Sequence, residues 1–136
     1  MRKFFSFLLV FGIFCSATAC GGASGGIPDN MSEKMYEIGL AALEIADEYF
    51  DGGIDLETAR KRIDASFTSA DSQYKKDQEE VGDSLIGTKY SNDYFIHHEL
   101  TMLSYELLAK SHGTGTNKDI TSARNDLAKH LNEKSR

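Results

Sequence analysis

A chain of 136 residues with 21 acidic and 15 basic side chains carries a net charge of −6, a balance that argues against nucleic acid as a partner because phosphate binding needs a basic face. Two cysteines are too few to build a disulfide scaffold, and the length suits one domain with a real core rather than two.

The first stretch reads as a leader. Arg2 and Lys3 are the only charges before Asp29, and Phe4 to Phe14 is apolar except for Ser6 and Gly12. A positive start followed by an apolar run of this length has the form of an export signal. At helical rise its 11 residues cover about 17 Å, well short of a hydrocarbon core of about 30 Å. Counting on to Cys20 gives 17 residues, the lower edge of the spanning range, which keeps an uncleaved signal anchor open as an alternative.

Ala17, Thr18, Ala19 and Cys20 resemble the lipobox of bacterial lipoproteins, and the resemblance extends over about the first 26 residues. It implies cleavage between Ala19 and Cys20 and transfer of a diacylglycerol to the Cys20 sulfur, leaving the protein on the outer face of a bacterial membrane. A thiol suits that transfer because the thiolate is the strongest common side-chain nucleophile near neutral pH. Ala17 departs from the pattern, which most often has a branched aliphatic there. Ala17 and Ala19 also satisfy the A-x-A rule for ordinary signal cleavage, which would cut the same bond and release a secreted soluble protein. Cys15 follows the bulky Phe14 and would leave with the leader. The mature chain then keeps one cysteine and no intramolecular disulfide, and lipidation would remove an exposed free thiol.

The expected organisation is a signal peptide at 1–19, a lipidated Cys20 with a glycine-rich tether to residue 29, and a helical domain over 30–136. Loss of Arg2 and Lys3 with the leader takes the net charge from −6 to −8. A domain so charged is repelled from an anionic bilayer within a Debye length of about 8 Å. The nine residues Gly21 to Asp29 span about 17 Å on average, which would hold the domain just off the surface.

No proline follows Pro28, and Val81 is the only valine after the leader, so helix formers dominate and an all-α fold of about four helices is expected. Asn30 with Glu33 reads as a capping box opening a first helix that ends at Gly52-Gly53. Met31, Met35, Ile38, Ala42, Ile45, Ala46 and Tyr49 share one face of it, with Glu33, Glu37, Glu44 and Glu48 opposite. Asp55 then caps a second helix, striped by Leu56, Ala59, Ile63, Phe67, Ala70 and Tyr74, that packs back as an αα-hairpin. Serines weaken this stripe between Ser69 and Val81, and the helix end there is left open.

After a loop marked by Gly82 and Gly87, Ser91 or Asn92 is expected to cap a third helix from Asp93 to about Ser111. Its two apolar bands, Tyr94/Phe95/Met102/Tyr105 and Ile96/Leu100/Leu103/Leu107, predict a central helix buried on two sides. Gly113 to Thr116 reads as a flexible connection to a last helix, Ile120 to about Glu133, with Ile120, Ala123, Leu127 and Leu131 inward. The hairpin Ala42 to Ile63 and the segment Ala123 to Ala128 resemble short helical proteins encoded by many Gram-positive bacteria, a resemblance that implies no activity.

Candidate chemistry is sparse. His97-His98-Glu99 is the densest cluster of potential ligands, but adjacent helical residues point about 100° apart, so the pairs able to converge are Asp93/His97 and His98/Met102. Met102 stands where a zinc hydrolase motif needs a second histidine. Asp93 and His97, helped by His112 or His130, form the one metal alternative; the leading expectation is no metal and no cofactor. Met31 and Met35 read as core, Asp51 and Asp55 as helix caps, and Lys75 to Glu80 as solvated surface. Gly113 and Gly115 before Lys118 lack P-loop spacing, and no nucleophile-elbow pattern occurs. The expected function is a non-enzymatic, membrane-anchored module that binds a protein or envelope partner, with Cys20 the one residue given a chemical role.

Overall fold

Helix-forming composition and four separate 3.6-residue stripes produce four α-helices in the computed structural model, which describes residues 26–136. They are α1 (Glu33–Phe50), α2 (Leu56–Val81), α3 (Ser91–Ser111) and α4 (Asn117–His130). Among the described residues there is no strand, so the fold is the expected all-α bundle. Helices α1 and α3 touch each other and both touch α2 and α4, whereas α2 and α4 do not meet. The α1 start, α2 end, α3 start and α4 end lie together at one end of the bundle, as shown by Ser32 against Asp93, Tyr90 against Glu80 and Phe95 against His130.

The core forms where the stripes converge. Met35, Ile63, Ile96, Leu100, Leu103, Leu107, Ile120 and Leu127 are all fully buried. Gly39 admits Leu131 so closely that a Cβ there would lie 2.9 Å from its side chain. The inward residues expected on α4 are all buried, and on α3 the whole Ile96/Leu100/Leu103/Leu107 band is. The second α3 band is not. Tyr94 and Phe95 are half-buried, but Met102 and Tyr105 are exposed, so α3 is central by touching every other helix rather than by burying two faces.

Helix α2 runs unbroken through the stretch left open by its serines. Hydroxyls of Ser66, Thr68 and Ser69 donate to the carbonyls of Arg62, Asp64 and Ala65, four residues back, so they are satisfied within the helix they would otherwise weaken. Asp77 falls on the inward face of this segment and is 2 % exposed. That corrects the reading of Lys75 to Glu80 as wholly solvated.

Three helix starts differ from the sequence expectation. Asn30 does not cap α1: it adopts φ 56° in a turn, a conformation asparagine tolerates, and the cap is Ser32, whose hydroxyl accepts the Met35 N–H at 3.2 Å. Neither Ser91 nor Asn92 caps α3. Ser91 lies inside the helix and donates to the Leu85 and Thr88 carbonyls, while the Asn92 amide donates to Asp29 O. The Ser91 bonds fix the 82–90 loop, whose Leu85 is fully buried.

Helix α4 begins three residues earlier than expected, at a capping box in which Thr116 and Asp119 exchange hydrogen bonds. The connection before it folds back on α3, with Thr114 N–H bonded to Ala109 O at 3.0 Å. This return brings Gly115 against the end of α3, where a Cβ would lie 2.7 Å from Lys110 N and 3.1 Å from Ala109 C. Both obstacles are backbone. Gly115→Ala is therefore expected to destabilise the domain by about 2 kcal/mol in urea unfolding; an unchanged midpoint would show that the turn has room to spare.

Candidate functional site

The most unusual chemistry among the described residues sits inside the bundle, at the end where α1 and α3 begin. Asp93 occupies the first turn of α3 on its inward face and has no exposed surface. Its Oδ1 accepts the Ser32 backbone N–H at 2.9 Å, and its Oδ2 accepts the Ser32 hydroxyl at 2.5 Å. Asp77, from the last turns of α2, is the second buried acid beside it and raises its pKa. Asp77 Oδ1 accepts the Gln73 side-chain amide at 2.8 Å, whereas its buried Oδ2 has no hydrogen-bond partner.

Two buried carboxylates cannot comfortably both be charged. Burial pushes the Asp93 carboxyl up to about 7, Asp77 adds in the same direction, and the two bonds from Ser32 oppose it. A proton on the Asp93 carboxyl relieves the repulsion between the two buried acids. Paired carboxylates with one proton also serve acid–base catalysis, but a catalytic pair must reach its substrate. Here both acids are sealed beneath Ser32 and Gln73, which makes the pair a latch between three helices.

The latch fixes the way into the domain. Asn92 N–H bonds Asn30 O at 2.9 Å, and the Asn92 side chain donates to Asp29 O at 2.6 Å. With the two Ser32 bonds, four hydrogen bonds tie the segment just before α1 to the start of α3.

The structure separates the residues of the metal alternative. Asp93 turns to Ser32, whereas His97, one turn further along α3, is stacked on Tyr74 with ring centroids 4.7 Å apart and with Nε2 3.4 Å from Asp71 Oδ1. Asp71 is in turn held by Lys75 at 2.7 Å. His130 stacks on Phe95 and lies 3.8 Å from Glu99, and His112 follows the far end of α3. His98 and Met102 are both exposed. Among the described residues no three His, Cys, Asp or Glu side chains converge as a metal set. Met35 is core, and Met31 packs half-buried against it.

A second buried polar group is Arg124 of α4, at 7 % exposure. Its guanidinium grips Asp47 of α1 through Nε at 3.1 Å and Nη2 at 2.7 Å, and its Nη1 donates to the Lys134 carbonyl at 2.6 Å. It thereby joins two helices to the C-terminal tail. Asp77 was visible in the sequence only as a position in phase with Ala70 and Tyr74. Arg124, flanked by Ala123 and Leu127, gave the same weak signal.

No protein-family model, curated protein or solved structure matches this chain. What the site does is therefore read from its own geometry. The predicted cleavage and lipidation residues, Ala19 and Cys20, lie outside the described residues, and no helix among the described residues is long and apolar enough to cross a membrane.

Proposed function

We propose that the protein is a lipid-anchored, non-enzymatic binding module at the outer face of a bacterial membrane, attached through a diacylglycerol on Cys20. The observation that supports this reading is the clamp at Asp29, Asn30 and Ser32, which ties the segment arriving from Cys20 to Asn92 and Asp93. A tether fixed at one end of a bundle presents the opposite end and the outer helix faces outward. The acidic balance of the chain favours that posture by keeping the domain off an anionic surface.

Cys20→Ser tests the attachment. Fractionation of expressing cells is expected to move the protein completely from the membrane to the soluble fraction. Retention of Cys20→Ser on the membrane would favour an uncleaved signal anchor, and recovery of unaltered protein from the medium would favour plain secretion. Both results would overturn the lipid-anchor reading.

A further inference from the structure

The outer face of α3 carries three large apolar side chains that nothing among the described residues covers: Met102 is 37 % exposed, Tyr105 61 % and Leu108 39 %. Their spacing of three places them side by side on the helix surface. Beside Met102 a cleft of about 200 Å³ opens between α3 and α4, lined by Glu99, Glu106, Asp119, Ser122 and Asp126. Among the described residues none of these four carboxylates pairs with Lys or Arg; Lys110 and Lys118, on the same helices, make no ion pair with them, and the one basic side chain within 4 Å of any of them is the His130 imidazole, 3.8 Å from Glu99.

An apolar stripe bordered by unneutralised carboxylates complements a segment that combines large apolar residues with Lys or Arg. Charge decides among other occupants. A second copy would bring the same acidic face, and an anionic bilayer would be repelled. Position agrees, since Tyr105 lies about 21 Å along α3 from the clamped end. We propose that Met102, Tyr105 and Leu108, with the acidic cleft beside them, dock a cationic amphipathic segment of a partner protein. The proposal rests on the binding-module reading and gives its partner a chemistry.

The test uses the full chain in detergent and a fluorescein-labelled, 18-residue amphipathic Leu/Lys helix read by fluorescence anisotropy. The Leu/Lys peptide is expected to bind, its Leu/Glu counterpart not. Tyr105→Asp, and separately the pair Glu106→Lys with Asp126→Lys, should each weaken binding about tenfold or more. The exposed pair Glu44→Lys with Glu79→Lys makes the same change of net charge elsewhere and should leave affinity within about threefold. The surface is wrong if the Leu/Lys peptide fails to bind, if the control pair weakens it as much as the cleft pair, if Tyr105→Asp has no effect, or if sedimentation shows that Tyr105 mediates self-association. A photo-cross-linker separates this failure from failure of the broader reading: capture of a protein in cells from Ser69 on α2 but not from position 105 would leave a binding module and remove this surface.

Discussion

Asp93→Ala is expected to destabilise the bundle by on the order of 3 kcal/mol at pH 7, while Asp93→Asn is expected to abolish most of the pH dependence of stability between pH 5 and 8. The alanine removes the acceptor of both Ser32 bonds at a site with no exposure, and each donor left without a partner costs about 1–3 kcal/mol. Asparagine keeps the shape and one acceptor oxygen and removes one charge from the pair. Because burial holds the Asp93 carboxyl at about 7, above the ordinary 3.8, the folded state binds more protons than the unfolded one between these values. Stability from this group is complete below about pH 4 and lost as pH rises through about 7. Glu99, also raised by burial, acts in the same direction.

Asp55, Glu57, Asp71, Glu80 and Asp119 act oppositely. Hydrogen bonds from Thr58, Arg60, Lys75, Lys89 and Thr116 hold them below the ordinary range, so their contribution is present above that range and fades as pH falls through it. The two trends place maximum stability near pH 4, where the Asp93 contribution starts to fall and the opposing ones start to fade. Urea unfolding of the unaltered chain should lose about 2 kcal/mol between pH 5 and 8, and Asp93→Asn should be nearly flat. An undiminished slope in the asparagine variant would remove the acid pair as its source.

The second large effect is expected at the ion pair joining α1 and α4. Asp47→Ala should cost about 3 kcal/mol, because it leaves a guanidinium at 7 % exposure without its counter-ion. Arg124→Ala should cost less, about 2 kcal/mol, since Asp47 is partly solvated and retains Arg136 at 3.4 Å. Arg124→Lys should not restore the loss, because one ammonium cannot reproduce the forked contact to Asp47 and reach the Lys134 carbonyl. The double alanine variant should lose less than the sum of the two single ones, as shared partners require. Strict additivity in urea unfolding would mean that the contact does not couple the helices.

What was legible in the sequence and what was not divides along physical lines. The helices were legible because burial writes a 3.6-residue period into apolar side chains, as at Ile96, Leu100, Leu103 and Leu107. The Asp55 cap was legible because its partner, Thr58 N–H, is three residues away. Asp93 and Arg124 were not, because their partners are 61 and 77 residues distant and a charged residue by itself reads as surface. Helical spacing suggested Asp93 with His97, but the two side chains take different neighbours: Ser32 for one, Tyr74 and Asp71 for the other. Tyr105 misled in the opposite way, since an aromatic in an apolar band has the same pattern whether a helix of this chain or another molecule covers it. The Asn30 cap lost to the neighbouring Ser32, a competition that only backbone conformation decides, and the Ile120 start missed the Thr116/Asp119 capping box just before it.

The proposed anchor depends on Cys20, and the mass of the native N-terminal tryptic peptide tests it directly. A peptide running from Cys20 to Lys34 and carrying diacylglycerol is predicted, with mild alkali removing the acyl chains and leaving a glycerol thioether on sulfur. A peptide beginning at Cys20 with a free thiol, or a chain retaining the residues before it, would contradict the account.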